Sequence, residues 1–133
     1  LLHFDFEKAL HLLAAHESTL FSHMADEESI LLPVYEERGE FPDAGAPKLY
    51  YDDHKKMRSY IELFKQSTSK IATEADIDRA LLNLLDREAC YLRLCSHHDR
   101  RESEYLYPIL DTILSESEKS ELLGRVALRG ETR

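Results

Sequence analysis

One pattern of eleven residues, His-x-x-x-Glu-x-x-x-Leu-x-Pro, occurs twice in this chain, as His23, Glu27, Leu31 and Pro33 and again as His98, Glu102, Leu106 and Pro108. On an α-helix, residues four apart lie on one face, about 6 Å apart along the axis. Each His/Glu pair can therefore present an imidazole and a carboxylate to one point. A third histidine, His54, lies between the two copies in an apolar, helix-like segment. Two such pairs with a lone histidine read as a metal site inside a helical bundle.

The remaining sequence divides into helical segments that support this reading. From about Asp5 to Arg38 the apolar and special residues fall at Phe6, Ala9, Leu13, His16, Leu20, His23, Glu27, Ile30 and Val34. Their alternating steps of three and four predict one helix with one buried stripe. Gly39, Pro42, Gly45 and Pro47 then mark a turn-rich loop. A second helix is predicted from about Lys48 to Ser69, with Tyr50, His54, Met57, Ile61 and Phe64 facing inward. Thr73, with Asp76 three residues on, resembles a helix start, and a long helix should follow to about Leu114. Its inward side is expected to carry Leu81, Leu85, Glu88, Leu92, Cys95, His98, Glu102, Leu106, Ile109 and Ile113. Ser115 with Glu118 fits a capping box that opens a short terminal helix over Leu122, Leu123 and Val126. Period-two stretches are missing and the β-branched residues are scattered, so the fold class is all-α. Pro33 and Pro108 sit inside otherwise helical pattern, where a proline removes a backbone hydrogen bond and favours a kink. The two halves are expected to bend at equivalent points, in a pseudo-twofold arrangement with the metal near the axis.

Composition narrows the function. A chain of 133 residues has the length of a single domain, 1–133, with a real core. It is 43% apolar with no apolar run long enough to cross a bilayer, which reads as soluble and globular. Seventeen basic against 26 acidic side chains give a formal charge of -9, which argues against nucleic acid or an anionic membrane as the main partner. The N-terminus, Leu-Leu-His-Phe-Asp, has neither a basic n-region nor a small-residue cleavage site, so a cytoplasmic location is the expectation. Cys90 and Cys95 are five apart in a helical stretch, a separation that suits neither a disulfide nor a redox pair and suggests reduced, partly buried thiols.

The stripe positions of His23, Glu27, His54, His98 and Glu102 are ones that leucine or isoleucine would fill in an ordinary bundle. Burying two ionised carboxylates without partners would cost several kcal/mol each, on the order of the penalty for any desolvated charge. They must be protonated, paired or bound to a cation. A dinuclear centre resolves this: two divalent ions neutralise both glutamates, which can bridge them, while neutral imidazoles take terminal positions. Mixed His and carboxylate ligation with open positions fits non-haem iron better than a thiolate-rich structural zinc site. Taken singly, a His-x-x-x-Glu step is a helix-surface ion pair worth a few tenths of a kcal/mol, of the order usual for such pairs. The repetition on buried stripes is what favours a metal.

The stretches Ser22–Pro33, Asp53–Arg58 and His97–Glu102 resemble, in order and approximate spacing, the second, third and fourth core helices of the hemerythrin-like, or HHE cation-binding, family. The resemblance covers nearly the whole chain. It implies an up-and-down four-helix bundle in which His23, His54 and His98 are terminal ligands and Glu27 and Glu102 bridge two irons. It also implies a non-heme di-iron protein that binds or senses a small diatomic molecule, dioxygen or nitric oxide, or iron itself. The alternative in the same family is an iron-dependent redox enzyme, or an iron-handling or nitrosative-damage repair protein using the same centre. The family's first helix, with its ligand histidine, has no counterpart upstream of His23 and is expected to be absent or supplied from elsewhere. Where oxygen carriers have a second histidine on the third helix, this chain has Arg58. The remaining donors are then expected from water, Glu28, His97 or a neighbouring subunit. A homodimer through Phe6, Leu10, Leu13 and His16 is the corresponding expectation. His16 should be structural, His3 and His11 solvated or packing, and His97 exposed. Glu28 and Asp26 should belong to a solvated acidic face, and Tyr105 and Tyr107 should pack the core.

Overall fold

The computed structural model describes residues 6–71, 73 and 75–131, and its elements follow the periodicity closely. Helix α1, residues 6–38, comprises α-helix Phe6–Asp26, a π turn Glu27–Leu31 and α-helix Leu32–Arg38. Helix α2 is Pro47–Ile71. Helix α3, residues 77–113, repeats the plan of α1 with Ile77–Arg101, a π turn Glu102–Leu106 and Tyr107–Ile113, and α4 is Glu116–Glu131. No strand occurs among the described residues, so the chain is an all-α helical bundle.

The interruptions expected at the two prolines take the form of π turns. A proline has no N–H to give to the carbonyl four residues back, and its ring crowds that carbonyl. Both helices accommodate this by widening the preceding turn by one residue. The Leu32 N–H reaches back to the Glu27 carbonyl, and the Tyr107 N–H to the Glu102 carbonyl. Each wide turn thus begins on the glutamate of its motif.

Contacts between helices establish their directions. Glu28 pairs with Arg58 and Glu17 with Lys65, so α2 runs antiparallel to α1. Phe64 packs on Tyr91 and Asp53 meets Arg101, so α3 turns back again. Helix α4 opens with the capping box expected of it: Ser115 Oγ accepts from the Glu118 N–H at 3.2 Å, and Glu118 Oε1 accepts from the Ser115 N–H at 3.0 Å. Arg38 clamps this start by donating to Glu118 and to the Ile113 carbonyl. From there α4 lies along α1, burying Leu122, so the fourth helix of this bundle is the C-terminal one. The expected dimer contact falls at the opposite end, where Leu10 and Leu12 are exposed; the Phe6 side chain lies outside the described residues, as does all of His3.

Two apolar clusters fill the bundle. Met24, Met57, Ile61, Phe64 and Tyr91 form one, and Leu32, Tyr35, Tyr50, Leu106 and Leu110 the other. On every long helix the chemistry-bearing residues lie between them in sequence. Along α1, Glu27 separates Met24 from Leu32; along α2, His54 separates Tyr50 from Met57; along α3, His98 and Glu102 separate Tyr91 from Leu106.

Some expectations are corrected. The start of α3 is capped by Asp76, whose carboxylate accepts from the Arg79 N–H at 3.1 Å, while Thr73 donates to the Lys70 carbonyl at the end of α2. In the first half of α3 the inward line is Leu81, Leu84, Tyr91 and Cys95, and Leu85, Glu88 and Leu92 are exposed. Leucines occur on two sides of this helix. The side carrying Tyr91 is buried because its ring packs edge-on against Phe64 and its hydroxyl meets His16 Nε2 at 2.7 Å. His16 is thereby structural, as expected. Cys90 is exposed and Cys95 half-buried, both as free thiols.

The loop between α1 and α2 passes through a short 3₁₀ turn, Asp43–Gly45, under the ring of Tyr105. A side chain at Gly45 would place its Cβ 2.9 Å from Tyr105 Cγ and 3.0 Å from the Tyr35 hydroxyl, which itself donates to the Gly45 carbonyl. Gly45→Ala is therefore expected to destabilise the fold by about 1–3 kcal/mol, the usual cost of overpacking. Urea unfolding tests this, and an unchanged midpoint would show that the loop yields freely.

Candidate metal centre

Helical spacing delivers four buried side chains to one place between the apolar clusters. Glu27 from α1, His54 from α2, and His98 and Glu102 from α3 offer ligand atoms all within 4.8 Å of one another. Glu27 and His54 are wholly buried, and His98 and Glu102 nearly so. His23, one turn before Glu27, reaches the group from the rim: its Nε2 is 2.8 Å from Glu27 Oε1, and its side chain is 50% exposed. All five residues singled out from the sequence thus lie at one locus, four inside and one at the edge.

The central carboxylate is Glu27. Its Oε2 is 2.8 Å from His54 Nε2 and 3.6 Å from His98 Nε2. His98 Nε2 is also 2.7 Å from Glu102 Oε1. The buried oxygens Glu27 Oε1 and Glu102 Oε1 nevertheless lack a partner with hydrogen-bond geometry. Donors held about 2.0–2.2 Å from one cation at right angles are about 3 Å apart. The His54–Glu27 approach is a hydrogen bond, whereas the approaches of His23 to Glu27 Oε1 and of His98 to Glu102 Oε1 are as close without one, a spacing that such a donor set has.

A carboxylate backed by an arginine lies beside each buried imidazole, hydrogen-bonded to His98 but only near His54, whose Nδ1 has no hydrogen-bond partner. His98 Nδ1 hydrogen-bonds Asp53 Oδ2 at 3.1 Å, and Asp53 is held by Arg101. His54 Nδ1 faces Glu28 Oε1 at 3.4 Å, and Arg58 donates to the other Glu28 oxygen at 2.7 Å. For His98, a hydrogen on Nδ1 leaves the Nε2 lone pair directed into the cluster, the arrangement by which outer carboxylates orient metal-binding histidines. Arg58 holds the Glu28 carboxylate beside His54.

Charge is balanced within the group. Burial pushes the Glu27 carboxyl upward, but contacts from His23, His54 and His98 outweigh it and hold the group well below the usual carboxylate range. Burial and the charge of Glu27 push Glu102 the other way. Burial lowers His98, yet Asp53, Glu102 and Glu27 together raise it to about 11. The metal-free cluster therefore keeps a proton on His98 at neutral pH. Because its folded value lies above the ordinary one of 6.5, the charged imidazole stabilises the metal-free fold below that value, and this contribution is lost as pH rises through about 11. A divalent cation must displace the proton. Uptake at neutral pH is expected to release at least about one proton per chain, read by calorimetry in buffers of different ionisation heat; a heat independent of buffer would contradict it.

Beside the cluster, α4, the first π turn and the helical segment after the second border an open cavity of about 350 Å³ lined by Leu31, Leu110, Leu114, Leu122 and Val126 together with His23 and Glu27. Asp26, expected on a solvated face, is buried in this wall because α4 covers it. Tyr107, expected to pack, is 43% exposed. Its hydroxyl donates to Glu102 Oε2 at 3.1 Å. Tyr105 packs over Gly45, and His97 is exposed as expected.

Sequence reasoning missed Asp53, Arg101 and the hydroxyl of Tyr107, and it had Glu28 as a spare donor or part of a solvated face rather than as the partner of Arg58 beside His54. Asp53 and Glu28 are each the immediate neighbour of a candidate ligand, about 100° round the helix. Periodicity reads that direction as solvent, whereas here it is the seam with the next helix. The available signal was an acid beside each candidate ligand together with an arginine on the facing helix. Comparison with protein-family models, curated proteins and solved structures returns no match. Fold and site therefore define the class: an all-α bundle with a buried His/carboxylate group that could hold a metal ion. No helix among the described residues is long and apolar enough to cross a membrane.

Proposed function

We propose that this chain is a hemerythrin-like protein whose buried cluster holds non-haem iron and which binds or senses a small diatomic molecule, dioxygen or nitric oxide. The observation that carries the reading is the buried convergence of Glu27, His54, His98 and Glu102, whose ligand atoms lie within 4.8 Å of one another while Glu27 Oε1 and Glu102 Oε1 lack a hydrogen-bond partner, with Asp53 and Arg101 standing behind His98. His54, His98, Glu27 and Glu102 would hold the metal, with His23 at the rim. Nitrogen and carboxylate donors without thiolate suit iron better than a structural zinc. Iron bound there would supply an exchangeable coordination position for the diatomic ligand. Leu31, Leu110, Leu114, Leu122 and Val126 give the approach a largely apolar wall with room for a small molecule.

The test is anaerobic reconstitution with Fe(II), followed by elemental analysis and optical titration with nitric oxide and dioxygen. About two irons per chain, and no fewer than about one, are expected to remain after desalting, with new absorption bands on adding either gas. A protein that retains no iron would sink the proposal, and retained iron indifferent to both gases would sink its ligand half.

A further inference from the structure

We infer that the cluster presents two unequal metal positions, an inner one with four protein donors and a rim one with two, so that the second ion is loosely held and exchangeable. The inference rests on the iron reading above. Among the described residues, Glu27 is the only carboxylate whose two oxygens face different histidines: Oε2 turns inward to His54 and His98, and Oε1 turns outward to His23. The inner position thus draws on Glu27 Oε2, His54, His98 and Glu102 Oε1, the buried group whose ligand atoms lie within 4.8 Å of one another.

On the outer side the protein offers less. Glu102 could furnish a second bridge only through Oε2, and that oxygen accepts the Tyr107 hydroxyl at 3.1 Å. His23 lines the cavity half-exposed, while Glu27 Oε1 beside it is buried and without a hydrogen-bond partner. The two wings of the site therefore differ in donor number and in burial. An ion on four buried donors is released slowly, whereas one on two donors at a solvent-reaching rim exchanges with the medium.

The experiment is anaerobic titration of the metal-free protein with Fe(II), followed by calorimetry, alongside His23→Ala and Glu102→Gln. Wild type is expected to fill in two resolved steps. His23→Ala should lose the weaker step, about one equivalent, and keep the stronger at wild-type affinity. Glu102→Gln should weaken the stronger step. Circular dichroism before titration establishes that each variant is folded. A single step, two steps of equal affinity, or a parallel loss of both in His23→Ala would overturn the inference while leaving iron binding standing. No uptake by wild type would overturn the iron reading and this inference together.

Discussion

Glu27→Ala is expected to abolish iron uptake by the folded protein. Among the described residues, Glu27 alone lies within 3.6 Å of all three candidate histidines. It also sits wholly buried at the point where α1 widens into its π turn. Removing a partner from a buried charged group costs about 3–5 kcal/mol, and His98 would be left protonated against Asp53 and Glu102. Glu27→Gln keeps the volume and serves as the companion variant. Elemental analysis after Fe(II) reconstitution, with circular dichroism to verify helicity, decides the matter. Wild-type iron content in either variant would remove Glu27 from the ligand set.

The second large effect concerns residues that touch no metal. Asp53→Ala and Glu28→Ala should each weaken iron binding by about 10–100-fold, the usual consequence of losing the carboxylate that orients a ligating histidine. Asp53→Ala unhooks His98 from Arg101, and Glu28→Ala removes the carboxylate that Arg58 holds 3.4 Å from His54 Nδ1. Glu104, exposed on the second π turn, is the control, and Glu104→Ala should bind as wild type does. Competition with a chromophoric chelator measures all three. If the relay variants match the control, the arginine-backed carboxylates are surface pairs and nothing more.

The helix count, the loop and the inward stripe of α2 were all legible in the sequence because each rests on local periodicity and turn chemistry. So was the convergence of the five candidate ligands, since four-residue spacing places donors on a face whatever the partner helix. What escaped depends on how helices meet. Beyond each π turn the buried face is displaced by one residue from the simple α pattern: Tyr35 is fully buried where Val34 was expected, and Leu110 where Ile109 was. An α-helical wheel carries no provision for an inserted residue, so the stripe drifts at that point. The missed relay acids and the half of α3 assigned to the wrong side have a related origin. Adjacent residues and alternative leucine rows look equivalent in one dimension, and only the neighbouring helix chooses between them.

Those two wide turns also make the bundle's chain length count in an unusual way. Each holds one residue more than ordinary helix needs, placed between an upstream half that packs one core cluster and a downstream half that packs the other. Winding either turn as plain α-helix with every residue kept would rotate everything beyond it by about 100°, and Tyr35 or Leu110 would swing away from its cluster although no side chain had been altered. Deleting the exposed Ser29 or Ser103 would instead remove the surplus residue and leave the downstream face where it is. The wide turn acts as a phase shifter, absorbing one residue so that the two ends of a helix stay in step with different neighbours.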